Sequence, residues 1–182
     1  MCHPACVERK TKPGHLFAFA ADRCLFACPL FCRKGVNMYI LKTEAAFDSA
    51  HFLHGYNGKC SNIHGHRWVI EAEICSEKLI EEGQTRGMIV DFGDLKRDLK
   101  EIADSLDHRL IYEKGSLREK TLEALREEGF ALTEVDFRPT AENFSKYIYD
   151  LMSSEGYRVK RVTVYETPNN CAVYEAGDDN DI

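Results

Sequence analysis

RWVIEAEIC, residues 67–75, alternates apolar and polar side chains along most of its length. Glu71 and Glu73 occupy one side, and the other side carries Trp68, Ile70, Ala72 and Ile74. Because successive side chains of a β-strand point to opposite faces of a sheet, this pattern predicts a strand with one buried face. A sheet with one apolar face needs a second layer to cover it. The flanking sequence should therefore supply partner strands and covering helices.

Further strands are predicted at residues 39–47, 158–166 and 171–175. Asp91 is a good N-cap for a helix that runs to about Leu106, and Pro139-Thr140 starts a second helix with a strong apolar face. Residues 117–128 are charged and helix-prone, and we interpret them as a surface excursion. The order of elements predicts an α+β fold, in which a four-stranded antiparallel sheet carries two main helices on one face.

Composition narrows the classes of partner. The 182 residues suffice for one domain with a sizeable core, and the net charge of −6 does not favour nucleic-acid binding. No apolar run approaches the roughly 20 residues that span a bilayer, so no membrane partner is expected. Residues 38–182 contain only Cys60, Cys75 and Cys171, which is no disulfide framework. A reduced, cytoplasmic setting fits this cysteine usage.

Residues 1–37 differ from the rest of the chain. They carry six Lys/Arg and two Asp/Glu, and they hold five of the eight cysteines. We interpret them as an extension outside the fold, disordered or artefactual, that precedes a single domain at residues 38–182. The alternative is a second metal site, because Cys24, Cys28 and Cys32 recur every four residues. That spacing lacks the C-x2-C pair of common zinc modules.

Three histidines lie close to the first strand pair. His64 and His66 are two residues apart, so they point the same way on an extended strand, and His51 can reach the same point from a neighbouring strand. Gly65 between them lets the backbone pass without a side chain in the way. Three imidazoles suit Zn²⁺ and leave a fourth position open for substrate or water, whereas structural zinc sites are normally closed by four ligands. We therefore predict a catalytic zinc site, with nearby His54 as a rim residue and not a ligand.

Candidate proton-transfer groups follow in sequence. Cys60 lies in the polar, glycine-flanked stretch GKCSN, which favours a loop thiol near the metal over a buried apolar role. Asp107 precedes His108 at the end of the first helix. An aspartate beside a histidine can orient and charge the imidazole, but a histidine at a helix C-terminus is equally explained by the helix dipole. Both interpretations of Asp107 and His108 stay open at this point.

Carboxylate and hydroxyl groups suggest a substrate site. Glu166 follows Val162 and Val164 at a spacing of two, so it falls on their face of the third predicted strand. A carboxylate there is costly if buried unpaired, and a ligand offering two N–H groups would explain it; the alternative is an exposed acid at the strand end. For Thr140 and Glu142, helix capping and favourable interaction with the helix dipole are the simpler explanations.

Five motifs, in this order, resemble one known family. They are FDSAH (47–51), C-x3-H-G-H (60–66), LDH (106–108), PTAEN (139–143) and VYET (164–167). Together they are similar to the 6-pyruvoyltetrahydropterin synthase superfamily over residues 38 to about 176. The short gap between the cysteine and H-G-H resembles the bacterial 6-carboxytetrahydropterin synthase branch, because the pyruvoyl-forming branch typically has a longer gap.

The resemblance implies a tunnelling (T) fold, in which four-stranded units join through their sheets into a β-barrel. Homotrimers stacked into hexamers, with active sites between subunits, would be expected. The substrate would be 7,8-dihydroneopterin triphosphate, and the products 6-carboxy-5,6,7,8-tetrahydropterin, acetaldehyde and triphosphate, on the path to queuosine. The alternatives are 6-pyruvoyltetrahydropterin synthase activity, or a zinc-binding protein without catalysis.

The resemblance also implies roles for matching residues. The zinc ligands would be His51, His64 and His66. Cys60 would be the general base, with Asp107 and His108 as a second proton relay. Glu166 would anchor the pterin ring through its N–H edge, and the substrate-side residues of PTAEN would be Thr140 and Glu142.

Overall fold

The computed structural model describes residues 37–175. Six strands and three α-helices follow one another as β1 Tyr39–His51, β2 His64–Ser76, α1 Phe92–Leu106, β3 Arg109–Glu113, α2 Glu119–Glu127, β4 Leu132–Val135, α3 Ala141–Ser154, β5 Val159–Thr167 and β6 Asn170–Glu175. The predicted extension at residues 1–37, with its alternative cysteine metal site, lies outside the described residues except for Asn37.

One sheet contains all six strands, in the order β4-β3-β1-β2-β5-β6. The predicted alternating strand is the centre of β2, which pairs antiparallel with β1 over thirteen residue pairs from Tyr39↔Ser76 to His51↔His64. Antiparallel pairing continues from β2 to β5 and from β5 to β6. These four strands correspond to the predicted ones, and β1 extends beyond its predicted end to His51. That extension places His51 inside the strand ladder.

The predicted strand count of four was wrong, because β3 and β4 enlarge the sheet. They pair parallel with each other, and β3 pairs parallel with β1 over Ser49–His51. Both are only four or five residues long, too short to show a clear alternation. The predicted surface excursion contains α2, which connects them and buries Leu122 against Phe52 and Tyr112. A parallel pair requires such a crossover, so the excursion is part of the sheet architecture.

The two predicted helices begin where their caps indicate. The Asp91 side chain accepts a hydrogen bond from the Gly93 backbone N–H at 2.7 Å before α1. The Thr140 side chain accepts one from the Asn143 N–H at 3.4 Å before α3. Each interaction satisfies one backbone donor that the first helical turn leaves unpaired. Both helices pack against the sheet, α1 on β1 and α3 on β5 and β6.

The main core lies between these helices and the sheet. Trp68 of β2 is fully buried, stacks on Phe47 of β1 with ring centroids 6.0 Å apart, and meets Phe144 of α3 edge-on at 5.0 Å. The same row of β2 leads from Ile74 through Trp68 to the two histidines, so the apolar core ends directly at the histidine cluster. No helix in residues 37–175 is long and apolar enough to cross a membrane.

Candidate metal centre

Adjacent positions of the β1–β2 ladder hold the three histidines. His51 is the cross-strand partner of His64, and His66 is the partner of Ser49 two residues further along. All three rings lie on the face that carries Trp68, with centroid separations of 4.4 Å for His51–His64, 5.2 Å for His51–His66 and 5.0 Å for His64–His66. The predicted convergence of these side chains is therefore observed.

Backbone carbonyls orient two of the rings. Nδ1 of His51 donates to the carbonyl oxygen of Pro139 at 2.7 Å, and Nδ1 of His64 donates to that of Asn62 at 2.8 Å. A carbonyl oxygen can only accept, so these contacts place the proton on Nδ1 and leave a lone pair on Nε2. This arrangement, with one ring nitrogen held by an outer partner, is the usual one for metal-bound histidine.

The Nε2 atoms of His51, His64 and His66 are buried and have no hydrogen-bond partner among the described residues. Three buried ring nitrogens without partners that face one space are costly unless something binds them. Burial lowers the pKa of His51 to about 4, so its ring is neutral at neutral pH. Burial also lowers the pKa of His66. Neutral, converging imidazoles fit a metal ion, and this donor set suits zinc.

Glu166 completes the cluster. Its Oε1 lies 3.3 Å from Nε2 of His66 and 3.5 Å from Nε2 of His51. One ligand atom from each of His51, His64, His66 and Glu166 lies within 4.8 Å of the others. The prediction from spacing that Glu166 lies on the Val162–Val164 face agrees with this position, since both valines are fully buried. Glu166 lies one residue before the end of β5 with its side chain 32% exposed, and its carboxylate faces the histidines.

Asp107 and His108 form a second polar pair, at the end of α1. Nδ1 of His108 donates to Oδ2 of Asp107 at 2.7 Å, while Oδ1 of Asp107 accepts from the Asp48 backbone N–H at 2.7 Å. The His108 N–H donates to the Asp48 carbonyl at 2.6 Å. His108 has a φ of 53°, in the left-handed region that non-glycine residues seldom adopt. These bonds to β1 hold the turn in that conformation.

The electrostatics of this pair favour a charged imidazole. The hydrogen bond from the Asp48 backbone, and then the one from His108, lower the pKa of Asp107. The hydrogen bond to Asp107 raises the pKa of His108. His108 is 81% exposed, so it is free to exchange protons with a bound molecule. The structure thus supports the orienting interpretation of the pair.

A cleft of about 730 Å³ is shared by the histidine cluster and the Asp107–His108 pair. His66 and His108 both line it, together with Gly65 of β2 and Phe130 of the segment after α2. A Cβ atom at Gly65 would lie 3.3 Å from the Ser49 carbonyl oxygen, so glycine allows β1 and β2 to approach closely here. Cys60 and Glu166 are not among the residues that line this cleft.

Cys60 lies half-buried in the 3-10 turn Lys59–Ser61, in the loop between β1 and β2. Its carbonyl oxygen accepts a hydrogen bond from the Leu53 N–H at 2.8 Å, which ties the turn to the end of β1. It does not belong to the four-residue cluster, although it precedes Asn62, whose carbonyl orients His64. Cys60 thus lies neither in the cluster nor on the cleft that His108 lines.

Thr140 and Glu142 occupy the first turn of α3 in the helix-stabilising positions described above. Glu142 is exposed, and its place in the first turn suits the helix dipole. His54 is exposed, and its carbonyl oxygen accepts a hydrogen bond from Arg138. The side chains of these three residues do not belong to the cluster of His51, His64, His66 and Glu166.

Supporting residues escaped the sequence analysis. The carbonyl of Pro139 is 88 residues from His51, and that of Asn62 acts through the backbone, so neither leaves a side-chain signal. Asp48 holds Asp107 and His108 through its own backbone. Its place in FDSAH, three residues before the candidate ligand His51, was the one available sequence signal.

Comparison with known proteins finds similarity to tetrahydropterin synthases. The family model described as 6-pyruvoyl tetrahydropterin synthase matches residues 40–177. A Haemophilus influenzae protein named 6-carboxy-5,6,7,8-tetrahydropterin synthase is 35% identical over 141 residues, 76% of this chain and 99% of that protein. A Rickettsia bellii protein of the same name is 32% identical over 130 residues, 68% of this chain and 90% of the relative.

Solved structures share the fold. The 6-pyruvoyl tetrahydropterin synthase of Caenorhabditis elegans superposes with a TM-score of 0.55 at 24% identity, over 78% of this chain and 98% of that one. An uncharacterized protein from Wolinella succinogenes gives a TM-score of 0.65 at 20% identity, over 78% and 99% of the two chains. At these identities the likeness establishes the architecture alone.

Proposed function

The chain belongs to the 6-pyruvoyl tetrahydropterin synthase family, and we propose that it is a 6-carboxy-5,6,7,8-tetrahydropterin synthase. It would convert 7,8-dihydroneopterin triphosphate to 6-carboxy-5,6,7,8-tetrahydropterin, acetaldehyde and triphosphate, in the biosynthesis of 7-deazaguanine compounds such as queuosine. The observation that carries the proposal is the convergence of three buried, unpartnered Nε2 atoms in a chain whose relatives bear this name.

His51, His64 and His66 would hold a zinc ion through these Nε2 atoms. Bound there, zinc would supply Lewis-acid polarisation of the substrate side-chain oxygens and so acidify neighbouring protons. The protein's part is to keep His51 neutral and to fix the His51 and His64 rings. Burial of His51 and the carbonyls of Pro139 and Asn62 provide this.

The proton-transfer groups would be Cys60 and the Asp107–His108 pair. Cys60 as thiolate would accept a proton from the substrate side chain. His108 would give or take a proton at a second position, with Asp107 holding its imidazole by the 2.7 Å hydrogen bond. Its exposure on the cleft that His66 also lines supports this role. Loss of triphosphate and cleavage of a carbon–carbon bond require proton transfers of this kind.

Substrate binding would involve Glu166, whose carboxylate can accept two hydrogen bonds from the N–H edge of the pterin ring. Glu166 lies at the rim of the metal cluster, which would bring the ring close to the metal-bound side chain. Thr140 and Glu142 would contribute from the first turn of α3. In the absence of substrate, Thr140 caps α3 and Glu142 interacts favourably with the helix dipole.

We further propose an assembled enzyme in which active sites lie between subunits. Among the described strands, residues 39–48 of β1 pair only with β2, since β3 reaches β1 at Ser49–His51 alone. The opposite edge of the sheet is β6. Open edges of this kind pair readily with another strand, and a trimeric or hexameric barrel would close them. Cys60 does not line the cleft of His108, which supports a site completed by a second copy. The proposed location of the enzyme is cytoplasmic.

The test is product identification. Zinc-loaded protein is incubated with 7,8-dihydroneopterin triphosphate, and the products are analysed by mass spectrometry with a separate assay for acetaldehyde. A carboxytetrahydropterin with acetaldehyde release would support the proposal. A pyruvoyl product would assign the sister activity, and no conversion by zinc-verified protein would favour a zinc-binding protein without catalysis.

A further inference from the structure

Glu166 stands in an arrangement that a substrate anchor alone does not require. Its Oε1 lies 3.5 Å from Nε2 of His51 and 3.3 Å from Nε2 of His66. His51 is 1% exposed, and neither Nε2 atom has a hydrogen-bond partner among the residues the structure describes. The carboxylate oxygen therefore faces the same space as the Nε2 atoms of the three histidines.

This contact is unfavourable without a cation. Nδ1 of His51 donates to the Pro139 carbonyl, so the neutral ring offers only a lone pair at Nε2. A carboxylate oxygen offers only lone pairs as well. Two acceptors that face each other repel, and neither regains the hydrogen bonds that it made to water. A positive ion between them turns that repulsion into attraction.

The distances match those between ligands that share one metal. Zinc lies about 2.0–2.1 Å from a histidine nitrogen or carboxylate oxygen, and a tetrahedron of that size has edges of about 3.3–3.4 Å. The two separations from Glu166 Oε1 are 3.3 and 3.5 Å. All four candidate ligand atoms lie within 4.8 Å of one another, so small side-chain rotations would complete the tetrahedron.

We propose that Glu166 is a fourth protein ligand of the metal in the substrate-free protein, which makes a closed site of three histidines and one glutamate. The inference rests on the histidine metal site of the proposed function, but not on the reaction. It extends the proposed substrate role of Glu166: the carboxylate would leave the metal when the substrate takes it, so that binding of the pterin opens a coordination position. Until then the closed site would exclude other ligands.

Coordination of cobalt tests this without turnover. The full chain is freed of metal with a chelator and reconstituted with Co²⁺, whose visible absorption reports ligand number and geometry. Wild type is compared with Glu166→Gln and Glu166→Ala, and Glu127→Gln on exposed α2 serves as the control. Zinc affinity is measured by chelator competition, and azide is titrated into each Co²⁺ protein as a probe of an open position.

The wild-type and control spectra should be tetrahedral and insensitive to azide, whereas Glu166→Ala should bind azide with a change in its bands. Zinc affinity should fall in both Glu166 variants, by at least the roughly 10–100-fold loss known for outer-shell partners. Unchanged spectra and zinc affinity with a raised KM would overturn the inference and leave Glu166 as a substrate anchor only. A wild type that binds no metal would overturn both the inference and the histidine site.

Discussion

His51 stands directly opposite His64 in the β1–β2 ladder, with the two rings 4.4 Å apart. A one-residue slip of this register would turn one of the rings to the other face of the sheet. The twelve other residue pairs of the ladder, with Trp68 and Phe47 buried beside them, prevent such a slip. Core packing and metal binding are therefore set by the same strand pairing.

Replacing His64 by Ala should remove both metal binding and activity while the fold survives, because the core lies on the Trp68 side of the cluster. Metal content per chain, measured by elemental analysis, should fall to background. His54→Ala is the matched control, since His54 is an exposed histidine in the loop between β1 and β2. Retention of metal by the His64 variant would contradict the proposed ligand set.

Replacing Cys60 by Ala should leave zinc content unchanged, because Cys60 lies outside the metal cluster. Turnover should fall by about 10²–10⁴-fold, the usual contribution of a positioned general base. Cys171→Ala, at an exposed position of β6, should behave as wild type. Steady-state rates with zinc-verified samples give the comparison, and near-normal turnover of the Cys60 variant would exclude it as the base.

A chain that begins at Met38 should keep the metal stoichiometry, turnover and thermal midpoint of the full chain. The described fold starts with β1 at Tyr39, and the family match starts at residue 40. Calorimetry and the product assay on both chains make the test. A loss of activity or of metal on removal of residues 1–37 would show that these residues belong to the functional unit.

The sequence predicted the parts of this structure that rest on local chemistry. Strand alternation around Trp68, the caps Asp91 and Thr140, and the i, i+2 histidines each follow from spacing alone. Strands β3 and β4 escaped prediction because four or five residues carry too little periodicity, and because their parallel pairing depends on a distant partner.

The long-range contacts within the site could not be predicted from the sequence either. The sequence predicted which face of β5 carries Glu166, but not its distance from the histidines. That distance depends on the pairing of β5 with β2 in the folded sheet. The carbonyl of Pro139 on His51 and the backbone of Asp48 on Asp107 carry no residue-type signature.

Asp107→Asn should lower the pKa of His108, because the hydrogen bond that His108 donates to the Asp107 carboxylate is the main cause that raises it. The His108 imidazole signals, followed by NMR against pH, should titrate at a lower midpoint in the variant than in wild type. Asp104→Asn, which alters an exposed carboxylate paired with Lys100, should leave that midpoint nearly unchanged. An equal midpoint in wild type and Asp107→Asn would contradict the proposed relay.

Metal-free protein should lose stability as the pH falls from about 6.5 toward 4. An unfolded histidine has a pKa near 6.5, whereas burial lowers the pKa of His51 to about 4 in the fold. Between these values the unfolded chain binds a proton that the native state does not, so the free energy of unfolding decreases on acidification. One such proton contributes a slope of at most about 1.4 kcal/mol per pH unit.

His51→Asn should flatten this dependence, because its amide can still donate to the Pro139 carbonyl but does not titrate. Urea unfolding of both proteins with EDTA, at several values between pH 7 and pH 4, gives the two slopes. The remaining slope of the variant includes the contribution of His66, whose pKa burial also lowers. With zinc added, the wild-type curve should shift upward most at the higher pH, since protons compete with the metal for the same Nε2 atoms. Parallel slopes for the two metal-free proteins would mean that His51 is not held neutral by burial, and would remove one reason for assigning it as a ligand.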